Sequence, residues 1–537
     1  MVEGESKSVG KIQKIIDDEK TPLGTIISPS GISEGLMVLR NENQKNPNLL
    51  KSLVCFSMNG YPCLASVSDV YTSNPYMDIK SKLGIGNMSF IANRGRVPHT
   101  EDSDIRFASL QFLTKLGTDG SREKLLTSPD IGLKVIEADD SSLEVFYPFN
   151  FPENIAVGRY LGREISVPLD VKELTSVHCG IFGETGWGKS ILQCFLGATL
   201  VRAGIKLLIF DHSGDYSNDG TDVNKIFSKL VGKKGKDYTV FPANQIRADY
   251  DLLRIKLEDV DFWNQIFQTT PEYAKRISEE IIELIETGFP DVASLRTLDR
   301  RQFFQTVLTA IPNTWSQQGI AQKTTTATRK QNRIETWFDN TIRPYIQRPL
   351  SMNDVHDAIK TQKAVIIDLS GEHMNDSEKA LYVHKIGEMV IMEGNKIYPK
   401  KKLNLVTIID EAHIYVPQGV RDVRTDNWIA RSKKTITEFA KQGRKYGLGL
   451  CLADQRITAV DKQAIDMGTY FLGKLKMSGE RNHVKEMFGT GEADALRTIK
   501  KYQFLVVGNA SPLEDVTAPI SVFDPSKDLD YVAKIHT

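Results

Sequence analysis

Residues 180–190 read GIFGETGWGKS, with four glycines ahead of Lys189 and Ser190. Gly183, Gly188, Lys189 and Ser190 stand at the spacing G-x-x-x-x-G-K-[ST], a loop whose backbone N–H groups turn inward around phosphate oxygens. Average composition gives only roughly 0.02 such matches by chance in a chain of this length. The flanks agree with the pattern. Residues 177–182 are apolar enough for a short buried strand, and residues 190–201 carry helical spacing that stops near Gly204. A loop leaving a strand and opening a helix aims the helix N-terminus at an anion. Lys189 then reaches the β- and γ-phosphates of ATP and Ser190 ligates Mg²⁺. Glu184, Thr185, Gly186, Trp187 and Ile191 complete the binding stretch.

Beyond this loop, strands and helices alternate, the pattern of a parallel sheet covered on both faces. KLLIF (206–210), AVIIDLSG (364–371), LNLVTIIDEAH, LGLCLADQ and QFLVVGNA read as further strands of that sheet. Residues 251–360 interrupt it with helical spacing, as in FWNQIFQTTPEYAKRISEEIIELIETGF, and read as an inserted helical bundle. Residues 22–152 differ again. Short runs rich in β-branched and aromatic residues, broken by Gly, Pro, Asn and Asp, predict a small β-barrel. Its middle, 73–128, reads as an insertion or long loops. The fold class expected is α/β: an N-terminal β-barrel, a RecA-like P-loop core with a parallel central sheet, and the helical insertion. The expected boundaries are 1–20 (a mobile start), 21–157 (barrel), 158–250 and 361–510 (the two parts of the core), 251–360 (bundle) and 511–537 (a C-terminal extension).

Carboxylates at strand ends complete the chemistry. LNLVTIIDE ends on Asp410 and Glu411, where ligands bind in such sheets. Asp410 is suited to hold Mg²⁺ through water, and Glu411 to polarise the attacking water as a general base. Gln455 either senses the γ-phosphate or caps a turn, and Asp211 either orders the water and Mg²⁺ shell or caps a turn. Arg444, at the end of a helical stretch, either reaches the γ-phosphate of an adjacent subunit or is a solvated arginine favoured by the helix dipole.

The 537 residues are too many for one ordinary core, and 40% hydrophobic with 25% charged residues is the balance of a globular protein. Lys+Arg and Asp+Glu both total 68, which excludes a surface basic all over while leaving room for a basic groove. Cys55, Cys63, Cys179, Cys194 and Cys451 form no C-x-x-C pair and no zinc spacing, as expected of reduced, buried thiols. The start lacks a signal-peptide core, and no run of about 18 apolar residues occurs, so a cytoplasmic protein without membrane contact is expected.

Taken in order, GETGWGKS, DHSGDY, IIDEAH, KQGRKYGLGL and ADQR resemble the HerA branch of the HerA/FtsK ATPases, over about residues 22–525. The resemblance implies a homo-hexameric, ATP-driven translocase of duplex DNA, with sites at subunit interfaces and Arg444 acting in trans. It also implies a nuclease or other effector docked on the barrel, in DNA end processing or anti-phage defence. Departures from the family pattern are Trp187, His212, Ser213, Asp215 and Asp454. A ring needs cationic loops toward its channel, and Arg421, Arg424, Arg431, Lys433 and Lys434 are the first candidates for DNA contact. Two alternatives are a hexameric scaffold that binds nucleotide to activate an effector without translocating, and a packaging or conjugation motor of the same superfamily.

Overall fold

The computed structural model describes residues 10, 12–16, 22–40, 49, 52–73, 105–247, 249–311, 325–371, 374–419, 427–513 and 517–537. The candidates Arg421 and Arg424, and most of the expected mobile start, lie outside them. The chain divides into two compact units, residues 1–170 with 469–523, and residues 171–468 with 524–537.

The first unit contains a closed barrel. Strands β1 (Gly24–Ile27), β2 (Glu34–Leu39), β3 (Leu53–Met58), β4 (Tyr61–Ser73), β5 (Ile105–Leu116) and β7 (Lys134–Glu137) pair antiparallel in the order β2-β1-β7-β3-β4-β5, and β2 pairs back onto β5. A short β6 (Arg122–Glu123) extends the end of β5. Closure removes the open edges that would otherwise invite pairing with another chain. Ile26, Met37, Val54, Phe56, Ala65, Leu110 and Val135 fill the interior. The expectation of irregular structure across 73–128 fails at β5, a twelve-residue strand in which Ala108, Leu110, Phe112, Thr114 and Leu116 alternate inward. The alternation is muted in sequence because a small Ala108 and a polar Thr114 occupy inward positions.

Three short strands follow: β8 (Asn154–Ile155), β9 (Gly158–Tyr160) and β10 (Leu169–Asp170). The second unit then carries β11 (Cys179–Phe182), β12 (Lys206–Asp211), β13 (Tyr238–Pro242), β14 (Ala364–Asp368), β15 (Leu405–Ile409) and β16 (Leu448–Asp454). They run parallel in the order β13-β14-β12-β15-β16-β11. The near-continuous burial of β11, β14, β15 and β16 is that of strands covered on both faces. Gly197, on the helix Lys189–Arg202, lets that helix lie close to the sheet: an added Cβ would stand 2.9 Å from Leu207 and 3.1 Å from Ile408. The last strands, β17 (Thr469–Leu472), β18 (Gln503–Gly508) and β19 (Ala518–Val522), belong to the first unit and pair antiparallel, with β19 also on β9. Within QFLVVGNA, β18 pairs antiparallel with both of its neighbours, β17 and β19.

Between β13 and β14 the chain forms helices Asp249–Leu257, Val260–Phe267, Pro271–Gly288, Arg300–Ala310 and Thr325–Trp337. Trp263, Ile277, Ile281, Ile285, Phe303, Val307, Ile334 and Phe338 give them a hydrophobic core of their own. Caps set the boundaries. Thr270 accepts from Tyr273 N ahead of Pro271, and Asp299 with Gln302 forms a reciprocal capping box.

Candidate nucleotide-binding and hydrolytic site

The glycine-rich loop runs from β11 into the helix Lys189–Arg202, whose N-cap is Gly188. Gly186 and Gly188 have φ of 78° and 100°, values that side chains rarely tolerate. An added Cβ at Gly186 meets nothing within 4 Å, so the turn needs glycine for its dihedral and not for space. Lys189 is 7% exposed, and its Nζ donates to the carbonyls of Gly183 (2.7 Å) and Glu184 (3.3 Å). Desolvation pulls its pKa below the ordinary lysine value, while the charges of Glu411, Asp410, Asp454 and Glu184 oppose that pull. The ammonium is thus stored among loop carbonyls, in reach of the acidic strand ends. Ser190, half-buried, is the second residue of the helix.

Sheet register lines up the acids. Asp211 pairs with Asp368 across β12 and β14, and Phe210 pairs with Ile409, so Asp410 follows beside Asp211 at the strands' C-terminal ends. Burial pushes Asp410 up to about 7, helped by Glu411 and Asp211, against which a backbone hydrogen bond and Lys189 act. Asp211 is likewise pushed up to about 7, by burial first and by Asp368 and Asp215 after it. Its oxygens accept from the backbone N–H groups of Gly214 (2.9 Å), Asp215 (3.2 Å) and Tyr216 (2.9 Å). That geometry gives Asp211 the work of anchoring a turn.

Glu411 follows Asp410 in a left-handed backbone conformation, φ 49° and ψ 53°. Non-glycine residues are held there only where the surroundings over-determine them. Gln455 Nε2 donates to both Glu411 oxygens, at 3.1 and 3.4 Å. The two residues expected to act on the attacking water are therefore already in contact. Asp368, His413 and Asp454, to which the sequence reading gave no part in the chemistry, stand at the same strand ends.

Mg²⁺ takes hard oxygen ligands and keeps several waters. Ser190 and Asp410 offer such a donor set, and the carboxylates gathered around Asp410 are charge that a divalent cation would offset. Arg444 lies outside this cluster, exposed in the last turn of the helix Trp428–Tyr446. Of the candidate DNA contacts, Lys434 is exposed on that helix. Arg431 stacks on Trp428 with its guanidinium carbon 4.4 Å from the ring centre, and Lys433 pairs with Asp461 at 2.7 Å. Among the described residues no helix is long and apolar enough to cross a membrane.

Residues 155–390 match the family model for the central domain of the helicase HerA. The DNA double-strand break repair helicase HerA of Sulfolobus acidocaldarius is 24% identical over 511 residues, 92% of each chain. That of Saccharolobus solfataricus is 22% identical over 461 residues, 83% of this chain and 81% of its own. Among solved structures, VirB4 of Thermoanaerobacter pseudethanolicus aligns with a TM-score of 0.42 at 13% identity, over 70% of this chain and 98% of that one. Over most of its length this chain is similar to the HerA helicases, and over residues 155–390 to their central domain.

Proposed function

We propose that this protein is an ATP-driven translocase or helicase acting on duplex DNA, assembled as a hexameric ring and working with a nuclease or another effector. The observation that carries the reading is the hydrogen bond between Gln455 and Glu411 at the strand ends whose charges also act on the loop lysine, Lys189. ATP binding draws Lys189 from the carbonyls of Gly183 and Glu184 to the β- and γ-phosphates. Ser190 and Asp410 would hold Mg²⁺, which would supply charge neutralisation to the phosphates. Glu411 accepts the proton of the attacking water and Gln455 orients that water. Arg444 of a neighbouring subunit supplies transition-state charge, a role that suits its exposed place at a helix end.

DNA repair helicases among the relatives support DNA as the substrate. Lys434 is the described cation we assign to phosphate contact. A second reading, a nucleotide-gated scaffold, draws on the same Gln455–Glu411 bond, because a base held by a sensor is also a gate. Hydrolysis separates the two. The motor reading expects continuous ATP turnover that Glu411→Gln abolishes while nucleotide stays bound. Binding without turnover in the unaltered protein would favour the scaffold.

A further inference from the structure

We propose that Asp454, acting through His413, is a positioning residue that holds Glu411 in its working conformation; this rests on the reading of Glu411 as the base. Strand β16 ends on Asp454, which pairs with Phe182 at the end of β11. The next residue, Gly183, donates its backbone N–H to the Asp454 carbonyl at 3.2 Å. The strand end is thus tied to the first glycine of the phosphate loop.

The Asp454 side chain is 1% exposed and reaches the opposite way. Oδ2 accepts from the backbone N–H of His413 at 2.7 Å and lies 2.9 Å from the His413 ring nitrogen Nδ1. Oδ1 accepts from Arg456 N at 2.9 Å. A carboxylate only accepts, so the Nδ1 position of His413 carries the proton in this contact. The same Nδ1 stands 3.6 Å from Glu411 Oε2. Gln455, next in sequence to Asp454, holds Glu411 through its amide. One strand end therefore secures the phosphate loop, the turn bearing the base, and the sensor.

Two plainer readings fit less well. Ligand atoms of Glu411, His413 and Asp454 lie within 4.8 Å of one another, close enough for a metal ion. Asp454 Oδ2, however, already accepts from two nitrogens of His413, and a metal between them would have to displace the proton that His413 Nδ1 carries in this contact. A turn cap would need only the bond to Arg456 N, which a serine could accept. The second oxygen, spent on the backbone and ring of His413, is what a cap leaves unexplained. The left-handed conformation of Glu411 supplies its purpose, because the turn from Glu411 to His413 needs fixing from outside.

The test compares Asp454→Ala, Asp454→Ser, His413→Ala and the double variant Asp454→Ala/His413→Ala with the unaltered full chain. Steady-state ATPase, affinity for a fluorescent ATP analogue, and hydrogen–deuterium exchange of the peptide spanning 405–416 are read together. Each single variant is expected to lower kcat by about ten- to a hundredfold, the effect of a misplaced catalytic group, with affinity for the analogue held within about twofold. Asp454→Ser keeps an acceptor for Arg456 N and should fall with Asp454→Ala. The double variant should be no slower than the worse single one, since the two residues act as a unit. Exchange in 405–416 should quicken in Asp454→Ala while the β12 peptide keeps its protection. Unchanged kcat, effects that multiply, or an Asp454→Ser variant as active as the unaltered chain would overturn the proposal. Should the unaltered chain not hydrolyse ATP, the hydrolytic reading fails separately; exchange then decides, and unchanged protection of 405–416 refutes the tether.

Discussion

In the proposed mechanism Lys189 and Glu411 carry opposite halves of the chemistry, and their variants should separate binding from turnover. Lys189→Ala removes the charge that the phosphates would meet and should weaken ATP binding at least about tenfold in a fluorescence titration. Glu411→Gln should bind ATP normally while turnover falls by about 10² to 10⁴, the usual range for a lost general base. Asp211 answers to a different measurement. Replacing it with Ala leaves buried N–H groups of Gly214 and Tyr216 without acceptors, and should cost about 1–3 kcal/mol in urea denaturation. The raised pKa values of Asp211 and Asp410, both about 7, also set a pH dependence. Folded carboxyls that hold protons longer than unfolded ones, whose pKa is about 3.9, contribute stability that is lost as pH rises through the folded value. The metal-free protein should therefore melt at lower temperature at pH 8 than at pH 6.5, and Mg²⁺ with a non-hydrolysable ATP analogue should narrow the difference. Gly183 to Ser190 and the pair Asp410–Glu411 were legible in sequence because each lies within one turn of chain. His413 and Asp454 were not, since they stand 41 residues apart and meet only through the register of the sheet.

Elements were legible where burial and pattern agreed. The parallel strands carry apolar runs bounded by turn residues, and the inserted helices show clear helical spacing. Strand β13 has no clear signal in sequence, because YTVFP is short, ends in proline and lies at the edge of the sheet. β5 escaped because its inward positions include Ala108 and Thr114, and the orientation of β18 depends on partners that no local pattern names. Ionic contacts between elements lie equally beyond local reading. Glu378, 0% exposed in the first turn of the helix Asp376–Ile397, pairs with Lys256 of the helix Asp249–Leu257 and accepts from Tyr345 Oη at 3.1 Å. This contact joins the inserted helices to a helix of the same unit. Removing one partner of a buried pair strands the other charge, so Glu378→Ala should cost about 3–5 kcal/mol in urea denaturation. Lys256→Met/Glu378→Met, which removes both charges, should recover much of that loss. Equal losses in the single and double variants would mean that the charges are solvated in solution.

At the scale of the whole molecule, the proposed ring makes each site depend on a neighbouring subunit and on DNA. Rings of Arg444→Ala alone, or of Glu411→Gln alone, should hydrolyse ATP poorly. Mixed rings should regain part of the activity, because some interfaces then combine an intact Glu411 with an intact Arg444; mixtures no better than either parent would remove Arg444 from the neighbouring site. Barrel, P-loop core and helical insertion were all expected from sequence pattern, whereas a ring and its DNA path depend on surfaces of several copies that one chain's pattern does not encode. The proposed motor couples ATP turnover at this site to duplex DNA. Its most direct test is steady-state ATPase with and without linear duplex DNA across a salt series, with Glu411→Gln as the blank. Stimulation of several-fold that fades as salt rises is expected, since phosphate contacts are lost with counterion competition. Hydrolysis that is the same with and without DNA at every salt concentration would contradict it.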